Sequence, residues 1–425
     1  MTYVIMIGVF FVLLLLGAPI ALSLGLSSLL AVLYNHVSLT VVAASISGGI
    51  GKYLLLAVPF FVLSGNIMAK AGISERLIAF VDALVGHMRG GIATVCVVVA
   101  CFFGAISGSG AATVAALGVI LIPAMVDREH FSTPFATGLV ASASSIAIII
   151  PPSISFVVYA SLTGVSVGDI FMGGIIPGII MGVALILVAQ MTARKEKLVP
   201  SHKWLGWHEV WRTFKSAFWG LLMPVIILGG IYGGIFSATE AAAVAAVYGI
   251  FVGMVVYRSL KWRDLVDILY DSAKSVGGLM LIIGAATIFS YACTRFGVSS
   301  TVQGLLSSGS KISFLLISNL IFLIAGCFVD ANSAMYIFVP IMAPVAQALG
   351  VDLIHFGMIC TVNLAIGQVT PPVGMNLFVA SGMRLPGHEV TVQRLAKAVV
   401  PMILASLVVL VLVTFIPQLT LFLIR

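Results

Sequence analysis

Long apolar runs recur along the whole of this chain, separated by short polar stretches. They cover residues 3–34, 40–69, 92–126, 135–163 and 170–193, then 217–236, 240–258, 275–294, 312–349, 352–383 and 397–424. About 20 apolar residues in a helix cross a hydrocarbon core of roughly 30 Å, so each run is long enough for a crossing. Several are too long for one crossing and hold small or polar residues near their middle, which predicts interrupted helices there. The run from Tyr3 to Leu16 has no basic region before it and no small-residue cleavage site. It reads as a first transmembrane helix rather than a removed signal peptide.

Residues 194–216 break the pattern. Trp204, Trp207 and Trp211 fall at spacings of three and four, and Arg194, Lys195, Lys197, Lys203, Arg212 and Lys215 surround them. That predicts an amphipathic helix lying at the interface, on the cytoplasmic side by the positive-inside rule. It would bridge a first half, residues 1–193, and a second half, residues 217–425.

Composition agrees with a membrane solvent: 8% of residues are charged, 61% are hydrophobic, and the mean hydropathy is +1.22. The net charge of +7 sits in short loops, so it sets topology and implies no nucleic-acid partner. Cys96, Cys101, Cys293, Cys327 and Cys360 lie in or beside apolar runs with no CxxC spacing. That excludes a disulfide framework or a zinc site and leaves packing.

The halves resemble each other. Lys70-Ala-Gly-Ile-Ser74 matches Arg295-Phe-Gly-Val-Ser299 after 225 positions, Pro151-Pro152 matches Pro371-Pro372 after 220, and Gly104 matches Gly326 after 222. Internal repeats of this length are the usual build of secondary transporters.

Each half also carries two breaks, and in a bilayer breaks survive only where they are buried in protein or line a cavity. Phe103-Gly-Ala-Ile-Ser107-Gly-Ser109-Gly-Ala-Ala-Thr113 fits the tip of a re-entrant hairpin, or else small-residue helix packing through Gly104 and Gly108. At the corresponding place in the second half stands Ala325-Gly-Cys-Phe-Val-Asp330-Ala-Asn332-Ser333. Asp330 is the one acidic residue deep in an apolar region, which marks an ion or substrate path and is also compatible with capping a helix. The other two breaks are Ser144-Ser145 through Pro151-Pro152-Ser153, and Gly367-Gln368-Val369-Thr370-Pro371-Pro372. Proline ends a helix, so each pair splits a span into half-helices whose freed carbonyls suit a cation and whose N-termini suit an anion. Arg295 either receives a substrate carboxylate or snorkels to the interface. Glu240, in Ser237-Ala-Thr239-Glu240, reads as a capping box. No HExxH, GxGxxG or Walker sequence is present, and Ser107, Ser109 and His355 do not form a rhomboid-like GxSG arrangement. Nothing here supports an enzyme.

Taken together, GAISGSGAATVAALG, the PPS and TPPVG breaks, GCFVDANSAMYIFVPIMAPV and SATEAAAVAAVYG resemble the large membrane subunit of tripartite ATP-independent periplasmic (TRAP) transporters, over essentially the whole chain. The resemblance implies an all-α polytopic protein of the ion-transporter superfamily, with two inverted repeats, two re-entrant hairpins, two broken helices and elevator-type alternating access. It implies a location in the bacterial inner membrane, sodium as coupling ion, and a small organic acid such as sialic acid or a C4-dicarboxylate as substrate. The implied partners are a periplasmic substrate-binding protein and a small four-helix membrane subunit, here expected as a separate polypeptide. One sodium site is expected at Ser107 and Ser109 with Ser145, the other at Asp330 or Asn332 with Gly367 and Thr370. Substrate is expected between the tips, with Arg295, Asn376, Gly108 and Ser153 as candidates. The rival functions are a self-sufficient dicarboxylate carrier of the same superfamily and an ion channel.

Overall fold

The computed structural model describes residues 2–298, 301, 304, 310–383 and 385–425, and among these there are helices and no strands. Seven of the helices are long and apolar enough to cross a membrane, or eight if Val392–Ala398 and Val400–Phe415, bent by 49°, count as one span. The chain is thus an all-α polytopic membrane protein, as lipid requires of a span that must satisfy its own backbone hydrogen bonds.

The first run is two helices, α1 (Thr2–Leu15) and α2 (Ile20–Tyr34), because Gly17 takes a φ of 81° and Pro19 lacks an N–H. The second also divides, into α3 (Leu39–Ile50) and α4 (Ala57–Lys70), and a short helix α5 (Ile73–Val85) follows. Next come α6 (Gly91–Ser107), α7 (Gly110–Glu129), α8 (Thr133–Ser144), α9 (Ile154–Thr163) and α10 (Val167–Lys195).

The helix expected over 194–216 is not a unit of its own. α10 ends at Lys195, the next residues are irregular, and α11 runs without interruption from Trp207 to Tyr232. Nothing between the tryptophans and the apolar run stops the helix, so the aromatic face forms its first turns. Trp207 and Trp211 are 75% and 58% exposed, and Trp211 stacks on Phe214 at 5.4 Å between ring centroids.

The second half continues with α12 (Ala238–Phe251), whose start carries the expected capping box: Ser237 N–H donates to Glu240 Oε2 at 2.8 Å, and Glu240 N–H to Ser237 Oγ at 3.3 Å. α13 (Trp262–Arg295) begins well before its apolar run and is 34 residues long. Ser299, part of the expected repeat, lies outside the described residues. Then follow α14 (Lys311–Phe328), α15 (Ala331–Ala348), α16 (Leu353–Gly367), α17 (Met375–Gly382), α18 (Val392–Ala398) and α19 (Val400–Phe415). The order helix, short break, helix, then a broken helix therefore occurs in both halves.

Packing follows that order. α6 and α7 lie against each other and against α8, α14 packs on α16, and α4 packs on α12 and α13. Small residues let the backbones meet where each hairpin crosses its broken helix. A Cβ on Gly104 would lie 2.6 Å from Ala147 Cα, and one on Gly326 would lie 3.0 Å from Gly367 Cα. These are the same contact made once in each half, and they account for the Gly104 and Gly326 match in the sequence.

Gly326→Val should therefore lower the thermal unfolding temperature of the detergent-solubilised protein, with a cost of about 1–3 kcal/mol from overpacking. An unchanged temperature would mean that α14 and α16 can separate freely.

Candidate functional site

The first tip forms because Gly108, with φ 60°, ends α6 and donates its N–H to Gly104 O at 2.8 Å. Ser109 opens α7, and Thr113 Oγ1 donates back to Ser109 O at 2.8 Å and lies 2.9 Å from Ser107 Oγ. At the second tip Asp330 caps α15, accepting from Ser333 N–H at 3.1 Å and from the Ser333 hydroxyl. The capping role foreseen for Asp330 is thus present, and the carboxylate also borders a cavity.

The broken helices supply the neighbouring segments. α8 ends in a tight turn over Ser145–Ile148, and helix resumes at Ile154 after Pro151 and Pro152. Ser153 Oγ closes that gap by donating to Ile148 O at 2.7 Å. In the other half Thr370 Oγ1 donates to Ile366 O at 2.7 Å, Asn376 N–H to Gln368 O at 3.0 Å, and Gly374 N–H to Cys327 O at 3.1 Å. The last bond ties the second broken segment to the second hairpin.

A cavity of about 300 Å3 lies where these parts meet. On one side are Ser107 to Ala112, Ile154 and Ser155, Asp330 to Asn332, and Gln368 and Met375; on the other are Val62, Gly65 and Asn66 of α4 with Ser275 and Leu279 of α13. The first turns of α7, α9, α15 and α17 all reach it, so four positive helix ends share one space. Asp330 is the one charged side chain among the lining residues, and no Lys, Arg or His is among them. The remaining polar lining is hydroxyl and amide. Ser155 Oγ donates to Asn332 Oδ1 at 2.9 Å, which joins the two halves at the cavity wall.

Ser107, Gly108, Ser109, Asp330 and Asn332 are therefore brought together. Ser145, Ser153, Gly367, Thr370 and Asn376 stand behind them in the broken segments. Ser145 Oγ donates to Ser142 O at 2.8 Å, and Asn376 is fully buried with its Nδ2 donating to Ala141 O at 3.2 Å. Arg295 is not brought to the cavity: it is exposed at the end of α13.

Gln368 Oε1 and Asn376 Oδ1 are buried without hydrogen-bond partners, as are Ser142 Oγ and Ser144 Oγ. A Cβ on Gly110 would lie 2.6 Å from Gln368 Oε1 and 2.9 Å from Asn376 Oδ1, so two second-half amides press on the first tip. Buried oxygens left unpaired are costly, and hydroxyl, amide, carbonyl and carboxylate oxygens form the donor set that a hard cation accepts.

Four polar lining residues, Asn66, Ser155, Ser275 and Gln368, were missed in the sequence. Gln368 sits within the second proline motif and Ser155 two residues past the first, so both could have been read from them. Asn66 is a polar residue inside the apolar helix α4, a weaker signal. Ser275 gives no signal at all.

The model of the family described as "Tripartite ATP-independent periplasmic transporter, DctM component" matches residues 7–419. The chain is 41% identical to the C4-dicarboxylate TRAP transporter large permease protein DctM of Vibrio cholerae, over 98% of this chain and 95% of that protein. It is 39% identical to the isethionate TRAP transporter permease protein DctMQ of Oleidesulfovibrio alaskensis, over 98% of this chain and 66% of that longer protein. Among solved structures it is similar in fold to the YdaH transporter of Alcanivorax borkumensis, with a TM-score of 0.62 at 14% identity, covering 88% of this chain and 87% of that one.

Asp330→Ala removes both cap bonds and is expected to cost about 1 kcal/mol of stability, whereas Asp330→Asn retains a capping side chain and should change it by only a few tenths. Thermal unfolding of the two variants side by side checks this; equal losses would show that the cap contributes nothing.

Proposed function

Since the chain belongs to the family of the DctM component of tripartite ATP-independent periplasmic transporters, we propose that it conducts substrate in a sodium-coupled symporter. Its family makes it a transporter subunit of the organic-acid class. The finer reading is import of a small organic acid, of C4-dicarboxylate or sialic-acid type, across the bacterial inner membrane. A periplasmic binding protein hands the acid over. The relative named DctMQ, of which this chain spans 66%, supports a second membrane component, which we take to be the small four-helix subunit.

The observation that carries this reading is the convergence of four helix N-termini on a cavity whose one charged side chain is a carboxylate. Helix N-termini and hydroxyls suit an organic anion. They do not remove the repulsion between that anion and Asp330, and sodium does. In this reading one ion is held by Ser107 and Ser109 with Ser145 behind them, and the other by Asp330 or Asn332 with Gly367 and Thr370. Substrate lies between the tips, against Gly108, with Ser153 and Asn376 supporting the loops from behind.

The backbone contacts at Gly104, Gly326 and Gly374 support treating tips and broken helices as one body. An elevator movement would carry that body, with ions and substrate, past α4 and α13. Such a movement never opens a continuous pore, and no observation favours the channel alternative.

The test is reconstitution of the chain in liposomes with its small subunit and binding protein. Uptake driven by an inward sodium gradient is expected with all components and lost without them. Uptake by this chain alone would instead identify a self-sufficient carrier. In the complete system Asp330→Asn should weaken the sodium dependence of uptake while leaving the protein inserted, and unaltered sodium activation would remove Asp330 from the ion path. Arg295→Ala should leave the half-saturating substrate concentration within about twofold, since surface charges away from a site contribute little. A clear rise in that concentration would return Arg295 to the site.

A further inference from the structure

We infer that Asn66, steadied by Ser272, is a substrate contact on the wall opposite the tips and that it acts from one face of the membrane only. The inference rests on the elevator reading above.

The cavity has two unlike walls. One is made of the tips and half-helix starts, fastened to each other by the Gly104–Ala147 and Gly326–Gly367 approaches and by the bond from Gly374 N–H to Cys327 O. The other is made of α4 and α13, which pack on each other and, through α4, on α12. The walls meet at Gly65, where a Cβ would lie 3.0 Å from Ser107 Cα. A side chain at Gly65 would press on the tip, because Ser107 lies directly against the backbone of α4.

Asn66 is the next residue and faces the cavity. One N–H of its amide donates to Ser272 Oγ of α13 at 2.8 Å, and Ser272 is 4% exposed. The bond holds the amide plane in place, while the second N–H and Oδ1 have no other hydrogen bond among the described residues. A fixed amide with a free donor and a free acceptor suits a carboxylate or hydroxyl of a small organic acid, and it adds no charge to the site.

Its position fixes the consequence. Contacts from tips and half-helices travel with the substrate and are present in both end states. Asn66 belongs to the other wall, so its bond exists only while the tip rests on Gly65. A contact made in one of two states strengthens binding in that state alone.

The experiment uses the complete transporter, oriented in liposomes, with labelled succinate and labelled sialic acid as probes offered from each face in turn. Asn66→Ala should raise the half-saturating concentration about tenfold from one face, as expected for one lost hydrogen bond, and leave it within about twofold from the other. Asn66→Asp has the same shape, retains an acceptor for Ser272, and should weaken binding further on that same face by repelling the anion. Ser272→Ala frees the amide and should give a smaller, several-fold rise on the same face. The half-saturating sodium concentration should stay unchanged in all three. Equal rises from both faces, or no rise in any variant, would overturn the inference while leaving the transport reading intact. Failure of the wild-type complex to take up either probe would overturn that reading and this inference with it, and is seen before any variant is made.

Discussion

A backbone N–H or C=O exposed to lipid has no water to bond with, and the architecture of this chain follows from that. A helix satisfies these groups by itself, but a helix with a gap does not. Each gap must then be enclosed by other protein, and the most economical enclosure for four gaps is one another. The tips at Ser107–Ser109 and Val329–Asp330 and the gaps before Ile154 and Met375 thus face a common cavity. Glycines at 104 and 326 let the enclosing helices come close enough to exclude lipid.

The same argument separates what the sequence discloses from what it hides. Prolines, glycines and a lone aspartate inside apolar runs are visible as letters, so the four breaks and Asp330 could be read directly. The spacing of Trp207 and Trp211 was visible too, but an aromatic face looks alike on a surface helix and on the first turns of a crossing one. Only the continuity of α11 to Tyr232 decides between them. Arg295 had suitable chemistry for an anion, yet its place depends on where α13 ends relative to the cavity. Asn66 and Ser275 belong to helices without a break; Asn66 is at most a polar letter in an apolar run, and neither position by itself says that it lines the opposite wall. Composition and periodicity report local structure and burial, whereas a wall built from two unbroken helices is a property of how they pack.

The two halves share an order of elements but not a chemistry. Where the second tip has a carboxylate that both caps α15 and borders the cavity, the first has hydroxyls and a glycine. The site is therefore electrically lopsided although its scaffold is nearly repeated. A lopsided site can hold different ions or groups at its two tips, which a strictly repeated one could not.

The pressure of Gln368 and Asn376 on Gly110 also bears on how the protein is made. The first hairpin leaves the ribosome more than 250 residues before the amides that finally cover its tip. At synthesis rates of roughly 5–20 residues per second, that tip waits on the order of tens of seconds for its partners. During that time the early half holds a polar turn that the late half has yet to shield. Until then only contacts within the first half, such as Gly65 against Ser107 and Gly108 against Ile154, can enclose it.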